Sequence, residues 1–200
     1  MSNTIPTPQT PSFDEYSIVA TFSEQSLDQL SAIQSQLVEL LGDNIWLTPR
    51  RALHSTLMEI ICDREYEKPR KQLFDTWYEQ YNHITAEVLA QLSPFDITFS
   101  ELEFSQRAII ARLSDSTIFN GIRTRLLSKI SLPNGTKLPP DITHISLARY
   151  NSVLPLEAVT KKTSSIKVNF TQHISNFKLL KELGPPAFQP TLIQEYKFGE

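Results

Sequence analysis

A four-residue string, His-x-(Ser/Thr)-Leu, occurs twice in this chain, as His54-Ser55-Thr56-Leu57 and as His144-Ile145-Ser146-Leu147, ninety positions apart. Each copy sits in an apolar run that favours a strand. In a strand, residues i and i+2 point the same way, about 6.6 Å apart along the chain, so each string presents an imidazole beside a hydroxyl on one face. A fold that serves both strings has to bring two such strands into equivalent places, which calls for two matching lobes around one site.

The segments around the strings repeat in order. The first half reads as a strand from Tyr16 to Phe22, then a helix from Ser26 to Leu41 with Leu27, Leu30, Ile33, Leu37 and Leu40 at helical spacing, stopped by Gly42. A loop with Trp46, Pro49, Arg50 and Arg51 leads into a strand from Leu53 to Ile61. A helix from about Lys68 to Leu92 follows, then paired strands Phe95–Phe99 and Ala108–Leu113 joined around Ser105-Gln106-Arg107. The second half gives a helix from Ser116 to Ile130 and a loop with Pro133, Gly135, Pro139 and Pro140. After these come the strand Thr143–Tyr150, a short helix to about Lys162, and strands Ile166–Phe177 and Thr191–Phe198. The expectation is an α+β fold, bilobal, with two pseudo-symmetric βαβ-like lobes, antiparallel-rich sheets flanking a central cleft, and helices outside. Residues 1–13, with Pro6, Pro8 and Pro11 among small polar residues, are expected to form a flexible tail, and 14–200 a single bilobal domain.

Composition narrows the function. The chain has 200 residues, 40% of them hydrophobic, enough for one substantial core. A net charge of -3 argues against gripping long nucleic acid through counterion release, while leaving a small phosphate ester or one RNA end as a ligand. No run approaches the roughly 20 apolar residues of a membrane span, and the start lacks the basic and apolar stretches of a signal peptide. A single cysteine, Cys62, excludes an internal disulfide and suits a reducing compartment, so a cytoplasmic, monomeric protein without membrane partners is expected.

At the two strings the chain resembles the 2H phosphoesterase superfamily, which includes 2′,3′-cyclic nucleotide phosphodiesterases and the bacterial proteins called 2′-5′ RNA ligases. The residues that carry the likeness are Leu53-His54-Ser55-Thr56-Leu57 and Thr143-His144-Ile145-Ser146-Leu147-Ala148-Arg149, the second close to the family's His-x-Thr-Leu-Ala-Arg form. Gly184-Pro185-Pro186 before a closing strand that ends Tyr196-Lys197-Phe198-Gly199 is similar to that family's ending. The chain departs from the pattern at Ser55, where an apolar residue is more usual, and at Ser146, where threonine is commoner. The resemblance implies a metal-independent phosphoesterase, with no cofactor, acting on a nucleotide or RNA end that bears a 2′,3′-cyclic or other 2′-linked phosphate. It leaves two alternatives open: end-joining of RNA through a 2′-5′ bond, and a module that binds a nucleotide or RNA end without turnover.

The residue types suit that chemistry. Hydrolysis of a cyclic phosphodiester needs a base for the attacking water, an acid for the departing ribose oxygen, and donors for the non-bridging oxygens. His54 and His144 supply the acid and base in an order the sequence does not fix; Thr56 and Ser146 supply hydroxyls. Near neutral pH one imidazole can be neutral and the other protonated at modest cost. Strict alternation puts Tyr150 on the face of His144 and Ser146 as a stacking surface for a base, and puts Arg149 on the opposite face unless the strand bulges. It likewise groups Met58 with His54 and Thr56. Arg50 and Arg51 are candidates for the cleft mouth, where they attract an anion, and Trp46 for stacking on a base. A zinc site needs a third or fourth ligand beyond two histidines, and no cysteine cluster or acidic pair supplies one, so no metal is expected. His83 and His173 lack a hydroxyl partner two residues on, and Cys62 lacks an activating neighbour; packing or surface roles are expected for all three.

Overall fold

The computed structural model describes residues 13–62, 65–105, 108–139, 142–152, 154–183 and 188–199. The expected tail therefore lies outside the described residues apart from Phe13, whose ring sits 4.2 Å beneath the Arg70 guanidinium. Gln106, Arg107 and the Gly184-Pro185-Pro186 run also lie outside them.

The first strand, β1 (Asp14–Ala20), leads to helix α1 (Glu24–Leu41). Ser23 caps α1 by accepting the Ser26 amide, and Gly42 ends it at φ +55°, a backbone angle that strains any L side chain. A short strand, β2 (Ile45–Leu47), and a 3-10 turn (Arg50–Ala52) then lead into β3 (Ser55–Ile61). Helix α2 (Arg70–Ala90), the hairpin β4 (Phe95–Phe104) and β5 (Ala108–Leu113), and helix α3 (Thr117–Leu127) follow. The chain closes with β6 (His144–Tyr150), α4 (Leu156–Thr163), β7 (Phe170–Ile174), β8 (Asn176–Leu183) and β9 (Gln189–Lys197).

The strands lie in the order β7-β4-β5-β6-β3-β1-β8-β9, with β2 added to β6. Every pairing among the described strands is antiparallel. The middle of this series is its narrowest join: β3 and β6 pair only at Ser55 and Ile145. Four strands of this series lie on each side of that seam, with β2 besides, so the α+β, bilobal expectation is what the chain adopts, with the two motif strands at the centre. Counting outward from the seam, β3 corresponds to β6, β1 to β5 and β8 to β4.

The helices cross the seam. Helix α1, from the first half of the sequence, packs on β6, β7 and α4, whereas α3, from the second half, packs on β3 and α2. The halves are interlocked by this exchange and share one core, in which Leu57, Trp77, Phe99, Phe119 and Phe177 are at most 2% exposed. Burying side chains of this size contributes about 1.5–3 kcal/mol each.

Two sequence expectations change here. Ile166–Phe177, expected as one strand, is β7 and the start of β8, because the chain passes from one half to the other at Ser175; that carbonyl accepts the Phe198 amide. Strands that turn a corner this way switch sheets without a glycine or proline to announce it. The loop with Trp46 contains β2, too short at three residues to show alternation. No helix of the described residues is long and apolar enough to cross a membrane.

Candidate active site

The single pairing of Ser55 with Ile145 sets the geometry. Both side chains are fully buried, so their neighbours in sequence face the other way, and His54, Thr56, His144 and Ser146 are all partly exposed. Continuing the register one residue in each direction sets His54 across from Ser146 and Thr56 across from His144. Directly opposed Cβ atoms in antiparallel strands lie about 4.5–5.5 Å apart and diagonal ones about 7–8 Å. The four motif residues thus form a tile with the histidines on one diagonal and the hydroxyls on the other. Ser55 ties the tile together, since its Oγ donates to the carbonyl of His144 at 3.1 Å. The serine at this position works as a fastener across the seam.

Leucine, the fourth letter of each string, is a bulge. On β3, Thr56 pairs with Val19 and Met58 with the preceding Ile18, which leaves Leu57 as the extra residue. On β6, Ser146 pairs with Ile110 and Ala148 with Ile109, which leaves Leu147. A bulge places two successive side chains on one side and inverts the alternation beyond it. Leu57 and Met58 are accordingly both buried, as are Leu147 and Ala148.

The inversion corrects the face assignments made from strict alternation. Tyr150 is 4% exposed and belongs to the hydrophobic core, so it does not share the face of His144. Arg149 does, and it pairs across from Trp46 of β2. Met58 likewise joins the core. Trp46 packs against Phe188 with ring centroids 5.2 Å apart. Arg51 donates its Nε–H to the Phe188 carbonyl at 3.2 Å. Arg50 is turned to α1: its Nη2 lies 2.7 Å from Glu24 Oε2 and 2.9 Å from Asp28 Oδ1, and its Nη1 donates to Ser31 Oγ.

The carbonyl of each bulged leucine accepts a hydrogen bond from a buried side chain of the exchanged helix, and that of Leu147 also accepts the Thr48 amide at 3.0 Å. Gln34 of α1 donates its Nε2 to the carbonyls of Leu147 and Thr48, at 2.8 Å each. Arg123 of α3, 5% exposed, donates Nε to the Leu57 carbonyl at 2.8 Å and Nη2 to that of Thr56 at 3.0 Å. Buried backbone groups left without partners are costly, so these two residues hold both motif strands in register.

The electrostatics of the two histidines differ. Burial pushes His144 below the ordinary histidine value; Glu103 opposes this, and the charges of His54, Arg123 and Lys137 add to it. Arg112, which pairs across from His144 on β5, takes up Glu103 with Nη1 at 3.3 Å from Oε2. His54 has a carboxylate directly beside it, with Nδ1 3.4 Å from Oε1 of the buried Glu182. Among the described residues no three His, Cys, Asp or Glu side chains are grouped to hold a metal ion.

The sequence alone does not single out Glu182, Arg123, Gln34 or the bulges, although it carries weak signals of them. The doubled apolar residues Leu57-Met58 and Leu147-Ala148 break a two-residue period, and Glu182 falls in phase with Leu180, where alternation calls for an apolar side chain.

The sequence matches none of the known protein-family models, and it matches no curated protein. Solved structures do match its fold. TT0787 of Thermus thermophilus superposes with a TM-score of 0.65 at 18% identity, covering 93% of this chain and 99% of that one. E. coli LigT without ligand gives 0.60 at 11% identity, over 96% and 100% of the two chains, and LigT complexed with 3′-AMP gives 0.56 at 12% identity over the same shares. A protein described as a phosphoesterase gives 0.55 at 10% identity, over 94% of this chain and all of that one. The likeness runs through both halves and the seam between them.

Proposed function

We propose that this chain is a 2H phosphoesterase, hydrolysing a 2′,3′-cyclic phosphate or a related 2′-linked phosphodiester on a nucleotide or RNA end. The observation that carries this reading is the tile, in which two histidines and two hydroxyls alternate around one seam. The LigT complex with 3′-AMP, a nucleotide with phosphate on its ribose, supports the substrate class.

The diagonal separation of about 7–8 Å between the two histidine positions leaves room for one phosphorus between the imidazoles. His144, held neutral by burial, takes a proton from the attacking water. His54, on the other side of phosphorus, delivers a proton to the departing ribose oxygen. Thr56 and Ser146 donate hydrogen bonds to the non-bridging oxygens as charge gathers there. Arg149, on the same face, adds a cation for a flanking phosphate.

The test is incubation with 2′,3′-cyclic nucleotides and 2′-5′-linked oligonucleotides in excess EDTA. Turnover that survives the chelator and is lost in His54→Ala and in His144→Ala is the expected result. No turnover across that panel, or turnover untouched by both substitutions, overturns the reading. End-labelled tRNA halves separate hydrolysis from joining, since a ligase accumulates the longer product at equilibrium.

A further inference from the structure

Glu182 stands on β8, three strands from the seam, and reaches His54 because the β8–β9 hairpin curls back over the motif strand. Two contacts hold that hairpin down: the Arg51 Nε–H to the Phe188 carbonyl at 3.2 Å, and the ring of Phe188 against Trp46. Phe188 itself has φ +39°, an unusual backbone angle for a bulky side chain and a sign that its docked position is enforced by its surroundings.

The result is a buried carboxylate, 6% exposed, whose Oε1 lies 3.4 Å from His54 Nδ1. Among the described residues neither atom has a hydrogen-bond partner, and each lies within reach of the other. An ionised carboxylate taken out of water is unfavourable unless paired, and a buried imidazole N–H is costly when left unmet.

We propose, building on the reading of His54 as a catalytic acid, that Glu182 is its positioning residue: the carboxylate accepts the Nδ1–H, fixes the tautomer, and leaves Nε2 to address the phosphodiester. Which ring nitrogen of a histidine does chemistry is set by the hydrogen bond that the other one makes. The opposite half shows why this duty falls on one histidine alone. Glu103, on the corresponding strand β4, is shared with Arg112, whose Nη1 lies 3.3 Å from its Oε2, whereas Glu182 lies directly beside His54. Glu182 faces the positive charge that His54 bears whenever both its nitrogens are protonated.

Nitrogen-15 NMR of the histidine rings, on the unliganded full chain at about pH 8, above the ordinary histidine value, reads the tautomer without any substrate. In the wild type the expected form of His54 carries its proton on Nδ1. Glu182→Ala shifts it toward the Nε2–H form while the His144 resonances stay in place, and Glu182→Gln, which keeps an acceptor, lies between. In turnover of a 2′,3′-cyclic nucleotide, kcat falls about ten- to a hundredfold in Glu182→Ala, the range seen for outer partners of functional histidines, with KM nearly constant. A wild-type His54 with its proton on Nε2 overturns the proposal, as does an unchanged tautomer and kcat in the folded variants. Should Glu182→Ala fail to fold, the wild-type and Glu182→Gln spectra decide. A protein with no turnover on any substrate overturns the proposed reaction and leaves the tautomer measurement to judge the pairing by itself.

Discussion

Gln34 and Arg123 perform the same task on opposite sides of the seam: each sends a buried side-chain N–H from an exchanged helix to the carbonyl of the bulged leucine in the other half's motif. The parallel extends to the bulges themselves and to the hydroxyl two residues after each histidine. What differs is charge, since only Arg123 brings a cation behind the site, and that cation is one of the groups pressing His144 toward its neutral form.

Replacing Arg123 by Met keeps much of the volume and removes the donors to the Thr56 and Leu57 carbonyls. Hydrogen bonds from a charged donor contribute about 1.5–3 kcal/mol, so urea unfolding is expected to show a loss of at least that order. Gln34→Leu removes neutral hydrogen bonds and leaves the Leu147 carbonyl its bond from the Thr48 amide, so it is expected to cost less, about 0.5–1.5 kcal/mol.

Ser55→Ala deletes the bond from Ser55 Oγ to the His144 carbonyl without disturbing the apolar side of the strand. The expected loss of stability is about 0.5–1.5 kcal/mol. Because this bond joins the two motifs directly, kcat is expected to drop along with stability, whereas a distant core substitution of equal cost leaves kcat unchanged. Kinetics and urea unfolding on the same preparations distinguish the two.

Tyr150 and Arg149 exchange the roles that simple alternation gives them. Tyr150→Phe removes a buried hydroxyl that has no hydrogen-bond partner among the described residues, so KM and kcat are expected to stay unchanged and stability to hold or rise. Arg149→Met is expected to raise KM roughly tenfold, the equivalent of losing about 1.4 kcal/mol of charged contact to the substrate. A raised KM in Tyr150→Phe, with Arg149→Met silent, would contradict the inverted face.

The lowered value of His144 has a signed consequence for pH. In the unfolded chain this histidine takes up its proton near pH 6.5, and in the folded protein only at lower pH. Between those points the unfolded state binds more protons, so stability rises with pH through that window. The contribution is complete above about pH 6.5 and fades as pH falls toward the folded-state value. Denaturant midpoints measured across this range are expected to fall on acidification, and to fall less in His144→Gln. The acidic limb of the rate profile is expected in the same region, below the ordinary histidine value.

The α+β class, the two lobes and the central motif strands are legible in the sequence because a repeated string in a repeated order of elements constrains topology strongly. The helices are legible from their apolar spacing. What stays hidden is non-local. Glu182 comes to His54 only because the hairpin curls, and no spacing in the sequence links residues 54 and 182. Arg123 and Gln34 look like ordinary polar residues on amphipathic helices until the crossing of the seam turns them inward. Tyr150 falls on the wrong face in a period-two argument that one extra residue, Leu147, defeats.

Since α1 closes the core beside β6 and α3 closes the core beside β3, neither half of the chain holds a finished interior of its own. A fragment ending between β5 and α3 keeps a motif strand and lacks the arginine that pins it; the complementary fragment keeps the other motif strand and lacks its glutamine. Separately produced fragments are unfinished parts, and mixing them is the way to recover a site, each piece completing its partner's hydrophobic layer as it docks. Halves that trade helices in this manner are coupled through their packing: a new side chain on α1 is felt first on the strand of His144, and one on α3 on the strand of His54.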